Sequence, residues 1–252
     1  MSFFYQYEQN NGRTTLLKGT TARPGQIGFA VLSLKLGQTF QDTTGQEETI
    51  LVILSGKCKV NTSGSQWDCI GERKSVFDGK PYAVYLPCDS EYEVLALEDV
   101  EIAVCSTPSN SNRPARLVGP EDVNVLSRGK DNWYRDVYEI ANLAEDADSL
   151  IVGETISGPG NWCSYPPHKH DLEEMYFFKL NPPQGFGIQR VYTDDKKVDE
   201  LYLIRNNSLV SIPRGYHPLV AAPGYSVWFL YVLAAGPQQK LQAYEDPDHN
   251  WL

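Results

Sequence analysis

The sequence predicts an all-β protein built of two tandem β-barrels with little helix. Short runs of β-branched and aromatic residues, each closed by Gly, Pro, Asn or Asp, follow one another along the chain, as is typical of strands and turns. Helical periodicity is scarce, and the strand pattern returns at a constant offset. The chain has 252 residues, of which 41% are hydrophobic, enough for the core of one large or two ordinary domains.

The clearest strand signals are short and closely spaced, which favours a sandwich or barrel over alternating strand–helix units. The stretch 123–147 is the least strand-like, since it mixes charges with single apolar residues, and it predicts a short helix or a linker. In chain order, strands are predicted at residues 49–54, 83–86, 102–105, 175–178, 188–192 and 227–232.

An internal repeat supports the two-barrel organisation. Residues 47–52 align with 173–178 at an offset of 126 positions, and Pro87 then falls on Pro213. Residues 100–104 coincide with 226–230 at the same offset. We therefore predict one barrel in residues 1–122 and a second in residues 123–252.

Composition excludes several functional classes. The formal net charge is −10 and the sequence pI is near 4.9, which argues against nucleic-acid or anionic-membrane binding, although an anionic small molecule is not excluded. The longest apolar run, residues 227–235, is about half of the roughly 20 residues that a membrane span requires. The first residues lack the basic flank and apolar core of a signal peptide. We expect a cytoplasmic protein.

All four histidines lie in the second repeat, and three of them have metal-ligand spacing. His168 and His170 form a His-x-His pair, and strand alternation places them on one face. Glu174 follows four positions later, and a Pro-x-Gly-x-His turn supplies His217. Three neutral imidazoles and one carboxylate suit a divalent first-row metal with a position left open for substrate. His249, close to the C-terminus, is expected to be solvated.

The first repeat provides an internal comparison, because three of the four candidate ligands are replaced there. Only the glutamate keeps a counterpart, Glu48. Asp, Thr and Glu side chains do not form a comparable imidazole site, so we expect the first barrel to lack metal ligands. At the 126-residue offset the replacing residues are Asp42, Thr44 and Glu91.

The His-x-His-x3-Glu and Pro-x-Gly-x-His motifs resemble the paired motifs of the cupin superfamily, and two copies resemble a bicupin. The resemblance is closer to the bacterial 5-deoxy-glucuronate isomerases of myo-inositol catabolism. Their hallmark resembles the string GNWCSYPPHKHD at residues 160–171, and further similar strings occupy 173–177, 185–193 and 213–218. The match is dense from about residue 150 to 251 and thin over the first 120. Two departures are a shorter loop after Asp171 and Cys163 in place of the family's usual serine.

This resemblance implies a function as well as a fold. It implies an aldose–ketose isomerase that converts 5-deoxy-D-glucuronate into 5-dehydro-2-deoxy-D-gluconate through a metal-stabilised ene-diolate. The metal is most often assigned as zinc in this family, with manganese or iron as alternatives. The implied ligands are His168, His170, Glu174 and His217.

Strand parity suggests two further site residues. Tyr176 shares the face of Glu174, where its hydroxyl could donate or relay a proton; alternatively it only fills the barrel core. Arg190 shares a face with Tyr192 and is predicted to anchor the uronate carboxylate, since a guanidinium matches a carboxylate bidentately. The alternative is an arginine on the outer face of the barrel. Arg214 is a weaker candidate, and no residue is assigned as the general base.

Other functional classes use the same ligands. A cupin dioxygenase would hold iron in this set, a sugar-binding or storage bicupin would not catalyse, and a uronate isomerase for a 5-keto-4-deoxy sugar shares the ligand pattern but not residues 161–167. The strings that flank the ligands favour the 5-deoxy-glucuronate isomerase. The edges of the barrels and the aromatic content are compatible with a homo-oligomer.

Overall fold

The computed structural model describes residues 3–21, 25–110, 112–142, 146–236, 239 and 241–251. These residues form 23 strands and one turn of 3₁₀ helix, η1 (Asp131–Trp133). The prediction of an all-β protein is therefore confirmed. In the part of the chain described, no helix has the length and apolar character needed to cross a membrane.

The first half of the chain forms a six-stranded and a four-stranded sheet. The larger has the order β11-β8-β5-β10-β3-β2 and the smaller β4-β9-β6-β7. Apolar side chains of the two sheets share one core, in which Leu51, Ile53 and Val94 are fully buried. The strands of this half, β1 excepted, belong to these sheets: β1 (Phe4–Gln6), β2 (Gly12–Leu17), β3 (Gly28–Leu34), β4 (Thr39–Thr43), β5 (Glu47–Ser55), β6 (Cys58–Thr62), β7 (Gln66–Ile70), β8 (Ala83–Leu86), β9 (Glu91–Ala96), β10 (Val100–Pro108) and β11 (Arg116–Val118).

The second half repeats this arrangement. Its large sheet has the order β1-β20-β17-β22-β14-β13-β12, its small sheet β15-β21-β18-β19, and β16 pairs with β23. Phe178, Val210 and Ile212 lie in its core. The strands are β12 (Asn124–Arg128), β13 (Arg135–Ala141), β14 (Leu150–Ser157), β15 (Trp162–Cys163), β16 (His168–Lys169), β17 (Glu173–Asn181), β18 (Phe186–Tyr192), β19 (Asp199–Arg205), β20 (Ser208–Ile212), β21 (Leu219–Ala221), β22 (Ser226–Ala234) and β23 (Tyr244–Glu245).

Strand pairing shows the predicted repeat directly. The central strands β5 and β17 have nine residues each, and each pairs with a nine-residue partner, β10 or β22. Glu48 lies opposite Thr107 and Glu174 lies opposite Leu233, so the 126-residue offset also holds across the pairing. All six predicted strands lie within observed strands.

The stretch 123–147 departs from prediction. It holds strands β12 and β13 on either side of η1, so a linker or helix is wrong for most of it, and 143–145 lie outside the described residues. β12 is the edge strand of the large sheet and is mostly exposed, whereas β13 lies between β12 and β14 with most of its side chains only partly buried. Neither strand therefore shows a clear alternation of buried and exposed residues in the sequence.

The chain divides into two compact units that are not continuous in sequence. One comprises Met1–Tyr7, Val125–Glu139 and Gly153–Leu252, and the other Glu8–Asn124 and Ile140–Val152. Strand β1 belongs to the first of these units, together with most of the second half of the chain, because β1 pairs with β20. The division into domains at residue 122 stays a prediction.

Candidate metal centre

Three imidazoles converge in the second half of the molecule. His168 lies on β16, His170 follows that short strand, and His217 follows the turn after β20. One ligand nitrogen from each lies within 4.8 Å of the other two. In the part of the chain described, this is the one cluster of three or more His, Cys, Asp or Glu ligands that converge in this way. The predicted histidine set is therefore brought together by the fold.

The turn before His217 requires a glycine. Gly215 has a φ of +104°, and a Cβ atom there would lie 2.5 Å from the carbonyl oxygen of Tyr192. That close approach lets Tyr216 and Tyr192 exchange backbone hydrogen bonds of 2.8 and 3.0 Å. The Pro-x-Gly-x-His motif thus ties the turn to β18 and directs His217 toward the other two histidines.

Glu174 completes the cluster from β17. Its Oε2 atom lies 3.2 Å from Nε2 of His217 and 3.9 Å from Nε2 of His170. Both Glu174 and His217 are buried, whereas His168 and His170 are partly exposed. The cluster therefore has a buried side and a side that is open to a ligand.

Backbone carbonyls set the tautomer of each of the three imidazoles in the cluster. Nδ1 of His168 lies 3.1 Å from the oxygen of Pro166, that of His170 2.8 Å from Gln242, and that of His217 3.0 Å from Gly215. A carbonyl oxygen only accepts hydrogen bonds, so each Nδ1 is the donor. Each Nε2 then carries a lone pair, which is the state of a histidine that binds a metal.

Two atoms of the cluster are buried without a hydrogen-bond partner among the described residues. They are Oε2 of Glu174 and Nε2 of His217, and both present lone pairs across the 3.2 Å between them. Two facing acceptors repel one another unless a positive charge lies between them. A divalent cation shared by the three imidazoles and the carboxylate satisfies all four groups, so the donor set fits a metal.

Burial controls the protonation of these groups. It lowers the pKa of His168 to about 4, with the neighbouring His170 acting in the same direction. It also lowers the pKa of His217 well below the usual range and raises that of Glu174 to about 7, the latter opposed by His170. Near neutral pH the imidazoles of His168 and His217 are therefore uncharged, as metal ligation requires.

Three members of the cluster, His168, His170 and Glu174, line a cavity of about 530 Å³. Tyr176 also lines this cavity, as predicted from its parity with Glu174. Its hydroxyl lies 2.9 Å from Oγ of Ser164, and its ring packs edge-on against His217 with centroids 5.5 Å apart. Burial, followed by the charge of Glu174, raises the pKa of Tyr176, which keeps the phenol protonated. Ser164 itself has a φ of +51°, a strained value for a non-glycine residue.

Arg190 is not among the residues that line this cavity. Inward positions on β18 are occupied by Gln189 and Val191, so Arg190 lies on the outer face, over the ring of Tyr192. Nε and one terminal nitrogen of its guanidinium donate to the two carboxylate oxygens of Asp199, each at 2.7 Å. The parity argument correctly grouped Arg190 with Tyr192, but parity does not say which face is inside. Its predicted role as an anchor stays a prediction.

Two arginines that sequence reasoning missed do line the cavity, Arg128 and Arg135. Arg135 is partly buried and donates from one terminal nitrogen to the carbonyl oxygens of Trp133 and Tyr165, at 3.2 and 3.0 Å. It begins β13, within the stretch whose strand character the sequence obscured. No local motif marks it.

The C-terminal segment also supports the site, which the sequence did not reveal. Strand β23 places Glu245 opposite His168, and the carbonyl of Gln242 holds His170. Tyr192 fixes this segment by donating to the buried carboxylate of Asp246 at 2.6 Å. In the sequence, Glu245 and Asp246 are visible only as adjacent acidic residues near the chain end, and nothing about them indicates this contact.

Comparison with known proteins identifies the family. Residues 3–252 match the KduI/IolB family. This chain belongs to the KduI/IolB family. Among its relatives, the 5-deoxy-glucuronate isomerase of Geobacillus kaustophilus (strain HTA426) is 45% identical over an alignment of 236 positions, which covers 90% of this chain and 85% of that protein. The 5-deoxy-glucuronate isomerase of Bacillus subtilis (strain 168) is 38% identical over an alignment of 259 positions, gaps included, which covers 98% of this chain and 95% of that protein. The resemblance drawn from the motifs is confirmed.

Solved structures support the same assignment. An IolB-like protein from Salmonella typhimurium LT2 superposes with a TM-score of 0.92 at 36% identity, covering 100% of this chain and 99% of that one. An oxalate decarboxylase from Lactobacillus farciminis superposes with a TM-score of 0.70 at 10% identity, covering 97% and 88% of the two chains. The second likeness concerns the fold alone. Together with the repeated sheets, it confirms the predicted bicupin fold for this KduI/IolB chain.

Proposed function

We propose that this protein is an aldose–ketose isomerase that interconverts 5-deoxy-D-glucuronate and 5-dehydro-2-deoxy-D-gluconate. The observation that carries the proposal is the cluster of three histidines and Glu174, three members of which line a cavity, in a chain whose relatives are named 5-deoxy-glucuronate isomerases. The cavity volume of about 530 Å³ is ample for a six-carbon sugar acid.

His168, His170, Glu174 and His217 would hold a divalent metal, for which we propose zinc ahead of manganese or iron. When bound, such an ion supplies Lewis-acid chemistry, which acidifies the proton on C2 and stabilises charge on the substrate's C1 and C2 oxygens. The four protein groups supply preorganisation, because backbone carbonyls already fix each imidazole in its ligand tautomer.

The protein's own residues must move one proton between C2 and C1 and control the protonation of the two oxygens. The protonated phenol of Tyr176 lines the cavity and can donate a hydrogen bond to a substrate oxygen, while Ser164 fixes its position. Two carboxylates in the same lining, Glu139 and Glu245, are the candidates for the base that takes the C2 proton.

The experiment combines elemental analysis with turnover of 5-deoxy-D-glucuronate, on wild type, His168→Ala and the matched control His249→Ala. We expect about one divalent ion per chain in the wild type and the control. His168→Ala should lose most of the metal and the isomerase activity together. His249 is outside the cluster, so its loss removes a histidine without touching a ligand.

Two results would contradict the proposal. A metal-free wild type without isomerase activity would favour a sugar-binding bicupin. Bound iron with oxygen uptake and no isomerisation would favour a dioxygenase. The cytoplasmic location, the absence of nucleic-acid and membrane partners, and a homo-oligomeric state are predictions from the sequence that these measurements leave unchanged.

A further inference from the structure

The proposed substrate needs a cation for its carboxylate as well as a metal for its reacting carbons. A uronate carries its carboxylate on C6, at the opposite end of the carbon chain from C1 and C2. The lining of the cavity contains three glutamates, Glu139, Glu174 and Glu245, and a protein of net charge −10 does not attract an anion in general. Binding of the carboxylate therefore depends on a specific local cation.

Arg128 and Arg135 are the two arginines of this lining, and no lysine belongs to it. They differ in preorganisation. Arg128 is exposed and its side chain makes no hydrogen bond or ion pair among the described residues, so fixing it on a ligand would cost side-chain entropy. Arg135 is already fixed, because one of its terminal nitrogens donates to both Trp133 and Tyr165.

The charge of Arg135 lacks a counterion in the described part of the chain. Among the described residues, the hydrogen bonds of its side chain reach only backbone carbonyls, and Nε and the second terminal nitrogen remain as donors. Burial lowers its pKa, and no carboxylate is among the groups that shift it. A guanidinium stays protonated under such conditions, so a partly buried positive charge faces the cavity without an anion.

We propose that Arg135 anchors the carboxylate of the uronate and thereby determines specificity for sugar acids over neutral aldoses. This inference rests on the proposed function. Two parallel N–H donors on one guanidinium match the two carboxylate oxygens, which gives orientation as well as attraction. The contact with Tyr165 links the anchor to the metal end of the cavity, since Tyr165 lies between Ser164 and His168 in the chain.

The test compares two substrates on Arg135→Gln, Arg135→Lys, Arg190→Gln and a control, Arg205→Gln. The substrates are 5-deoxy-D-glucuronate and the neutral aldose in which a hydroxymethyl group replaces the carboxylate. Arg205 ends an exposed strand, and its substitution makes the same change in net charge outside the cavity. Steady-state kcat and KM are measured with the metal content of each variant.

For Arg135→Gln we expect kcat/KM on the uronate to fall on the order of 10²-fold, with turnover of the neutral aldose changed less than about threefold. Metal content should stay at the wild-type value. Arg135→Lys should recover part of the uronate activity, because it restores the positive charge but not the two parallel N–H donors of the guanidinium. Arg205→Gln should behave as the wild type on both substrates.

Three results would overturn the anchor. Equal losses on both substrates, or loss of metal in Arg135→Gln, would show a structural role. A specific loss of uronate turnover in Arg190→Gln, with Arg135→Gln unaffected, would assign the anchor to the outer-face arginine. If the wild type isomerises neither substrate, the proposed function fails, and the anchor is then tested by calorimetric binding of D-glucuronate to the metal-loaded protein. Weaker binding in Arg135→Gln alone supports the anchor. Equal binding in all variants, or no binding, overturns it.

Discussion

Glu48 and Glu174 are the same position in two repeats, and the fold uses them differently. Both are the second residue of a central strand, and both side chains are buried. Glu48 accepts hydrogen bonds from the backbone amides of residues 148, 149 and 150 at 3.0, 2.6 and 2.6 Å, and from the hydroxyl of Tyr85 at 3.0 Å. Glu174 faces His170 and His217 and leaves one oxygen unpartnered.

The difference shows that a buried carboxylate at this position does not by itself make a metal site. In the first repeat, peptide N–H groups satisfy the charge. In the second repeat, a bound cation would satisfy the charge of Glu174. Two of the other three first-repeat positions also make structural contacts: Asp42 pairs with Arg13, and the hydroxyl of Thr44 donates to the carbonyl of Pro87 at 2.8 Å.

The largest expected effect is on catalysis at Glu174. Glu174→Gln replaces a charged ligand with a neutral amide of the same size, so the cluster should bind metal weakly. We expect activity to fall on the order of 10³-fold, since the Lewis-acid contribution is worth several kcal/mol. Metal content and turnover are measured side by side. Retained metal with full activity would remove Glu174 from the ligand set.

The matched substitution in the first repeat should have the opposite signature. Glu48→Gln places an amide N–H₂ among backbone donors that need an acceptor, and we expect about 3 kcal/mol lower free energy of unfolding. Metal content should be unchanged. Urea denaturation measures the stability, and Tyr85→Phe, which removes one hydrogen bond, should cost only about 1 kcal/mol. Equal stability of Glu48→Gln and the wild type would refute the structural role.

A smaller effect is expected at the turn that delivers His217. Gly215→Ala combines a positive φ with a Cβ placed 2.5 Å from the oxygen of Tyr192, so we expect a loss of about 2 kcal/mol in unfolding free energy. Gly224→Ala is the control, because Gly224 has a φ of +86° but open space around a Cβ. The control should lose about 1 kcal/mol. Identical losses would show that the contact with Tyr192 has no energetic role.

The smallest effect should come from the C-terminal segment. Tyr192→Phe removes the hydrogen bond to Asp246 and loosens the segment whose Gln242 carbonyl orients His170. We expect metal affinity to fall about tenfold, as for other groups that orient a ligand. Competition with a chelator measures it. Tyr202→Phe, which removes an exposed hydrogen bond to Glu200, is the control and should leave metal affinity unchanged. If both variants bind metal equally well, the C-terminal segment does not act on the metal site.

Local patterns in the sequence were sufficient to predict the strands, the repeat, the four candidate metal ligands and the position of Tyr176. Strand alternation and ligand spacing are properties of neighbouring residues, so they can be read without the fold. The strands at 124–128 and 135–141 were missed because neither shows a clear period of two: the first is a mostly exposed edge strand, and the second is partly buried along most of its length.

The sequence by itself determined which residue types could bind a metal and that only one repeat has them. The tertiary structure alone decided that Arg135 lines the cavity while Arg190 lies outside, that Gln242 orients His170, and that amides from residues 148–150 satisfy Glu48. The physical reason is that these contacts join segments far apart in the chain. Their partners are set by sheet pairing and by the choice of inner face, which side-chain periodicity leaves open.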